Sequence, residues 1–204
     1  MVMIVGTCKL RRVISVKNDN IAADEKPLIA RARYDSTAFV QLYRSHYDAI
    51  FRYCVHRLFE RAKAEDVTSE VFLKVVENIH SFKGNEQQFR CWLYRIATNA
   101  VNNYLRKAVR RSRLLKVARE QTNSQVADCE GPAEKLALLR DSLFTLKPRY
   151  QAIITLRFFE NLKLTEIAEV LGSSPGTVRS QLTRALAKLR KVLATEFMEK
   201  SEVN

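Results

Sequence analysis

The chain has 204 residues, of which only 5 are glycine and 4 proline, and this scarcity of turn formers excludes an all-β sandwich or barrel. Hydrophobic residues at 47% against charged residues at 28% exclude a mainly disordered chain, and no run of 18 apolar residues marks an ordinary transmembrane helix. Lys and Arg number 35 against 22 Asp and Glu, a net charge of +13 that fits a polyanionic partner, nucleic acid ahead of an anionic membrane.

Residues 1–35 open with an apolar piece too short for a signal peptide and without a basic segment before it. The chain is therefore expected in the cytoplasm, and this stretch is expected to be a poorly ordered extension. From Ser36 to about Leu58, Phe39, Leu42, Tyr43, Tyr47, Ile50, Phe51, Cys54 and Leu58 recur at helical spacing. A second helix is predicted from Ala64 to about Ile79, with Val67, Val71, Phe72, Val75 and Val76 on one face. Ser81 to Asn85 is loop chemistry, since Gly84 and Asn85 both tolerate left-handed backbone. A third helix, 87–106, carries Phe89, Trp92, Leu93, Ile96, Ala97 and Ala100. Three such helices share one core. Trp92 lies in the apolar stripe, so core packing is expected of it before base stacking.

Residues 105–119 hold seven basic residues and no acid, a set suited to phosphates or to a solvated helix end. The polar stretch after them, with Gly131-Pro132, reads as a linker. Further helices are predicted at 133–146, 148–160, 164–171 and 175–195, with Pro148 in a first turn and Asn161 as a left-handed stop. Between the last two, Gly172-Ser173 forms a tight turn, Ser174 caps, and Pro175 takes the first helical position. This is a helix-turn-helix pattern.

Projected at 100° per residue, the last helix places Val178, Leu182, Ala185, Leu186, Leu189 and Leu193 on one stripe. Thr177, Ser180, Gln181, Arg184, Lys188 and Lys191 point the other way, flanked by Arg179 and Thr183, and residues 176–191 contain no acid. In such a motif this face meets base edges in the major groove, where Arg binds guanine and Gln binds adenine bidentately.

Other chemistry is not indicated. Cys8, Cys54, Cys91 and Cys129 make no Cys-x-x-Cys pair, so they read as idle thiols. Gly172-Ser-Ser-Pro-Gly176 matches a nucleophile elbow, but a helix precedes it and no His follows His80, so Ser174 reads as a cap. Asp66 and Glu70 are one turn apart without a third ligand, so neither a metal nor a cofactor is expected.

Both halves resemble the extracytoplasmic-function group of the sigma-70 family, the sigma factors of bacterial RNA polymerase. Ala64-Glu-Asp66, Glu70-Val-Phe72, Phe89, Trp92-Leu-Tyr-Arg-Ile-Ala97, Asn99 and Leu105-Arg106 resemble its region 2. Leu146-Lys-Pro-Arg149, Ile153 to Arg157, Glu166-Ile-Ala168, Leu171-Gly172, Gly176 to Ser180 and Leu189-Arg190 resemble its region 4. The resemblance implies an all-α protein of two small helical domains, a three-to-four-helix region 2 (36–110) and a helix-turn-helix region 4 (133–197). A flexible linker, 111–132, joins them. It implies a factor that binds core polymerase, directs it to promoters and assists melting.

Carried over residue by residue, −35 contact falls to Thr177, Arg179, Ser180, Gln181, Thr183, Arg184 and Lys188, with Gln181 where the family often has a basic residue. Contact with the −10 element falls to Asn85, Arg90, Arg95, Asn99, Asn102, Asn103 and Arg106. In similar factors the loop before the third helix, here Lys83–Gln88, captures a flipped base. Docking on the clamp of the polymerase's largest subunit falls to Glu65, Asp66 and Glu70. Lys163 stands where the family often has a capping Ser, which removes a cap of about 1 kcal/mol. The resemblance admits an anti-sigma protein as a further partner. The rival readings are a stand-alone helix-turn-helix regulator that binds DNA without polymerase, and a small nucleic-acid hydrolase acting through Asp66 and Glu70. The first reading has no catalytic residue.

Overall fold

A computed structural model describes residues 28–118 and 140–201, with side chains described over 28–111 and 140–194. The leader up to residue 27, the linker from 119 to 132, residues 133–139, Cys8 and Cys129 lie outside the described residues. All regular structure among the described residues is helical, and none of their helices is long and apolar enough to cross a membrane. The chain divides into two units, one ending at Val101 and one starting at Asn102.

In the first unit, a short helix α1 (Leu28–Arg31) precedes α2 (Ser36–Leu58), α3 (Arg61–Asn78) and a single tight turn, Ile79–Ser81; α4 starts at Glu86 and runs to Ala118. Residues 28–35 depart from the expected poorly ordered extension. Ile29 and Ala32 are buried, and the Arg33 guanidinium donates to the Phe82 carbonyl. A helix of four residues is too short to show a period, so the sequence could not announce it.

Asp35 caps α2, its Oδ1 accepting from the Thr37 amide at 2.8 Å. The helix stops at Phe59, which takes a left-handed φ of 51° and donates its amide to Val55. α3 begins three residues before the predicted Ala64, because its first turn, Arg61-Ala-Lys63, carries no buried side chain to start the apolar period. From Ala64 on, Val67, Val71, Phe72 and Val75 are buried at helical spacing against α2.

Gly84 and Asn85 do not use the left-handed backbone that the loop was expected to draw on. Asn85 instead caps α4: its Oδ1 accepts from the Gln88 amide and Gln88 Oε1 accepts from the Asn85 amide, both at 2.9 Å. A Cβ on Gly84 would lie 2.7 Å from Gln88 Oε1 and 2.9 Å from the Phe82 ring, so the glycine is there for close approach. α4 also runs past residue 110, where the linker was expected to start, to Ala118. The basic run changes the charge of the chain but contains only residues that a helix accepts, with no Gly or Pro.

The core of this unit is aromatic. Phe89 meets Phe82 and Trp92 with ring centroids 5.4 and 5.6 Å apart, and Tyr43 meets Phe72 edge-on at 4.7 Å. Arg57 is 1% exposed and donates to the Tyr53 hydroxyl at 2.8 Å, which in turn shares a 2.8 Å hydrogen bond with Thr98 of α4. Burial pushes the Tyr53 hydroxyl above its ordinary pKa, and the neighbouring Arg57 charge opposes that.

In the second unit, residues 140–144 are helical, then α5 (Pro148–Ile154) tightens no further but widens into a π turn, Thr155–Phe159. The predicted 148–160 helix is thus one element with a wide last turn, in which the Glu160 amide reaches Thr155. Asn161 takes the expected left-handed φ, 55°. α6 (Leu164–Leu171) and α7 (Pro175–Ser201) follow. Lys163 offers α6 no cap, but Glu166 reaches back to accept from the Lys163 amide at 2.6 Å, half of a capping box.

α6 ends in a Schellman motif. Gly172 is left-handed (φ 58°), its amide bonds Glu169, and the Ser173 amide bonds Ala168. Leu143, Leu146, Ile154 and Ala185 form a small aliphatic core, flanked by Tyr150, Leu182 and Leu189.

Candidate nucleic-acid interface

The turn between α6 and α7 sets the aim of α7. The Schellman glycine reverses the chain, and Ser174 Oγ accepts from the Thr177 amide at 3.1 Å. That bond makes Ser174 the cap of α7, as its residue context suggested. Val178 and Ala185 are fully buried and anchor α7 on its inner side. Leu182, Leu186, Leu189 and Leu193, expected on the same stripe, are half-buried.

Of the residues expected at the −35 element, Thr177, Arg179, Ser180, Thr183, Arg184 and Lys188 are exposed. Gln181 is half-buried, and its Oε1 accepts from Arg149 Nε at 2.8 Å. Lys188 lies 5.6 Å from the centre of the Tyr150 ring, a cation–π distance. The exposed face of α7 is thus basic, acid-free over 176–191, and held by a few small buried residues.

The residues expected at the −10 element do not all fall together. Arg95, Asn99, Arg106 and the adjacent Asn102 and Asn103 lie within one stripe of α4 at spacings of three or four residues, and Arg95, Asn99 and Arg106 are exposed while Asn102 and Asn103 are half-buried. Arg90 sits five residues before Arg95, which rotates it about 140° off that stripe, and it is half-buried. Asn85 spends its side-chain carbonyl on the cap of α4, leaving its amide group for other partners. Asn103 accepts from the Arg106 guanidinium.

An open cleft of about 440 Å³ lies beside that stripe, lined by Lys74, Glu77, Asn78 and Ser81 with Trp92, Ile96 and Asn99. Trp92 is half-buried: its ring centroid lies 5.1 Å from that of Phe82, and the residue also lines the cleft, so it is not the fully buried core residue expected.

Glu65, Asp66 and Glu70 are all exposed on α3. Glu65 pairs with Arg61 at 3.2 Å and Glu70 with Lys74 at 2.6 Å, both one turn apart. Such exposed pairs hold little free energy and break readily when a partner charge arrives. Among the described residues no cluster of His, Cys, Asp and Glu is placed to hold a metal. Cys54 and Cys91 are buried thiols outside any disulfide.

Two features escaped the sequence. Arg57 is a buried cation, and its signal was its place on the apolar stripe, one turn after Tyr53. Arg149 meets Gln181 across 32 residues of chain, which no local pattern announces.

Comparison with known proteins places these units. The sigma-70 region 2 family matches residues 42–111, and sigma-70 region 4 matches residues 136–189. The ECF RNA polymerase sigma factor BldN of Streptomyces coelicolor is 31% identical over 86% of this chain and 68% of its own. The ECF RNA polymerase sigma factor SigW of Bacillus subtilis is 30% identical over 78% of this chain and 90% of its own. Among solved structures, CnrH in complex with the cytosolic domain of CnrY has the same fold, with a TM-score of 0.63 at 23% identity over 82% of this chain and 96% of that one. So does RpoE in complex with the anti-sigma factor NepR from Bartonella quintana, with a TM-score of 0.59 at 22% identity over 76% of this chain and 96% of that one.

Proposed function

Since the chain belongs to the extracytoplasmic-function group of the sigma-70 family, we propose that its two units share promoter recognition through the residues named above. As a sigma factor it binds core RNA polymerase, directs it to promoter DNA and assists melting at initiation. The assignment of that work to residues is our reading. The first unit, with α4, takes the part of region 2 (36–110) and the second that of region 4 (133–197).

The exposed face of α7 enters the −35 major groove. Arg184, Arg179 and Gln181 offer hydrogen bonds to base edges, and Lys188 offers charge to phosphates. Single-stranded −10 DNA runs along the Arg95–Arg106 stripe. A base leaving the duplex finds the Trp92 cleft beside it, where an indole face and the Asn99 amide are within one site. Arg106, Lys107, Arg110 and Arg111, all exposed, add phosphate contacts. Glu65, Asp66 and Glu70 dock on the clamp of the largest subunit, where charge complementarity speeds and orients association.

The chain acts by binding, without catalysing a reaction, in the cytoplasm where core enzyme and promoters meet. An anti-sigma protein is a further partner in this reading, supported by the RpoE complex, which was determined with the anti-sigma factor NepR.

The observation that carries the reading is the order of two family regions, the second bearing an exposed, acid-free helix after a capped turn. The test is run-off transcription from promoters selected out of a random library by purified core polymerase with and without this chain. Transcripts that need both the chain and two separated DNA elements are expected. Tight promoter binding by the chain alone, with no transcript when core is added, would return the stand-alone regulator.

A further inference from the structure

Arg149 opens α5, and its Nε donates to Gln181 Oε1 on α7 at 2.8 Å. The two residues are 32 positions apart, so the contact exists only because α5 packs against α7. Arginine carries donors and no acceptor. The Gln181 atom facing it is therefore the carbonyl oxygen, and the two amide hydrogens of Gln181 lie on the other arm. A glutamine in an exposed helix is otherwise free to turn its amide over, presenting donor or acceptor alike. Here one orientation is held.

We propose that Arg149 is a positioning residue for promoter specificity: by fixing the Gln181 amide, it sets which base Gln181 accepts at one position of the −35 element. The inference rests on α7 being the −35 reading helix. Bidentate recognition of adenine needs one glutamine arm to accept from N6 and the other to donate to N7. A carbonyl oxygen has two lone pairs, so Oε1 holds Arg149 with one and receives adenine N6 with the other. Nε2 then meets N7 with no rotation left to freeze on binding. Fixing a side chain before binding improves discrimination because the wrong base cannot recruit the flipped amide. Gln181 is half-buried beside Leu182, whereas Arg149, like Ser180 and Arg184, is exposed, so it is the bond from α5 that favours one orientation of the amide.

The test uses holoenzyme assembled from core polymerase and the full chain. Promoter preference is read by selection on a library randomised through the −35 element. Four variants are compared: Arg149→Met, Arg149→Lys, Gln181→Ala and the double Arg149→Met/Gln181→Ala, with Arg184→Ala as a control for the reading helix. The expected result is that Gln181→Ala abolishes an adenine preference of about tenfold at one position, the order set by a bidentate pair. Arg149→Met weakens the preference at that same position about threefold or more and nowhere else. The double variant is no worse than Gln181→Ala, because Arg149 acts through Gln181. Arg149→Lys, which restores a donor, recovers part of the preference.

A uniform loss across all sequences in Arg149→Met makes Arg149 a phosphate contact and overturns the proposal. So does an additive double variant, or a Gln181→Ala variant with no change in preference while Arg184→Ala changes its own position. If Arg184→Ala and Gln181→Ala both leave −35 preference intact, the placement of α7 in the groove fails first, and the proposal falls with it. Urea unfolding of each variant confirms that the fold is not what changed.

Discussion

The two units reach stability by different routes. The first buries Phe39, Tyr53, Phe72, Phe82, Phe89 and Tyr94, with a cation, Arg57, held inside by Tyr53. The second is closed by aliphatic side chains, and its Phe144 and Phe158 are exposed. Its reading helix is aimed by local devices: the Gly172 Schellman turn, the Ser174 cap and two small buried residues. A broad aromatic core holds several helices of the first unit at once. The helix α7 is anchored along one side by Val178, Ala185 and half-buried leucines, and its opposite face is exposed. Core lesions in the first unit should therefore unfold it, while lesions in the turn of the second should mis-aim it.

The largest expected effect is Phe89→Ala. The ring is 1% exposed and packs on Phe82, Trp92 and His46, so its loss should cost about 3–5 kcal/mol in urea unfolding. Leu189→Ala on α7, half-buried, should cost clearly less in the same measurement. Equal costs would erase the contrast between the cores. Next comes Arg184→Ala. It should cost about 1–3 kcal/mol of promoter affinity, confined to one −35 position, with unfolding unchanged. A loss spread evenly over sequences would mean that Arg184 meets a phosphate.

How much of this was legible depended on range. Helices α2, α3, α6 and α7 follow from apolar spacing, and Asn161, Gly172 and Ser174 from backbone chemistry, all within a few residues of chain. What needed packing was hidden. The length of α4 was misjudged because charge shifts at Arg106 while helix propensity does not. Asn85 was read for its tolerance of left-handed backbone, whereas its side chain proved the more useful part. The burial of Arg57 depends on Tyr53, whose hydroxyl also meets Thr98 of α4, a contact 45 residues away in the chain. The exposed face of α7 was visible from its period; the hold of Arg149 on Gln181 was not, because nothing local encodes it.

Two smaller effects sharpen the contrast from the other side. Ser174→Ala removes the cap of α7 and should cost about 1 kcal/mol in unfolding. Binding to −35 DNA should fall by more than stability alone explains, since the first turn carries Thr177. If binding is untouched, the turn does not aim the helix. Glu70→Lys breaks an exposed pair with Lys74 worth about 0.3–0.5 kcal/mol, so the fold should be nearly unaffected. Affinity for core polymerase should drop several-fold at low ionic strength, and the gap from wild type should narrow as salt is raised and screens the contact. An unchanged affinity would remove Glu70 from the docking surface.

The smallest effect separates the units by pH. His46 sits on α2 with its ring 5.4 Å from Phe89. Burial is the main cause that lowers its pKa from the ordinary 6.5; Glu86 pushes it up and Arg90 pushes it down. Folding therefore favours the neutral imidazole. The stability this contributes is present above pH 6.5 and is lost as pH falls through the lower folded value. Chain position makes the prediction selective, since no histidine follows His80. Amide exchange should show protection falling in α2 and α4 as pH drops from about 7 toward 5, beyond the intrinsic change in exchange rate. α6 and α7 should keep theirs over the same range. His46→Gln should flatten the response of the first unit. If it does not, another group carries the pH dependence; if both units respond alike, the histidine does not distinguish them.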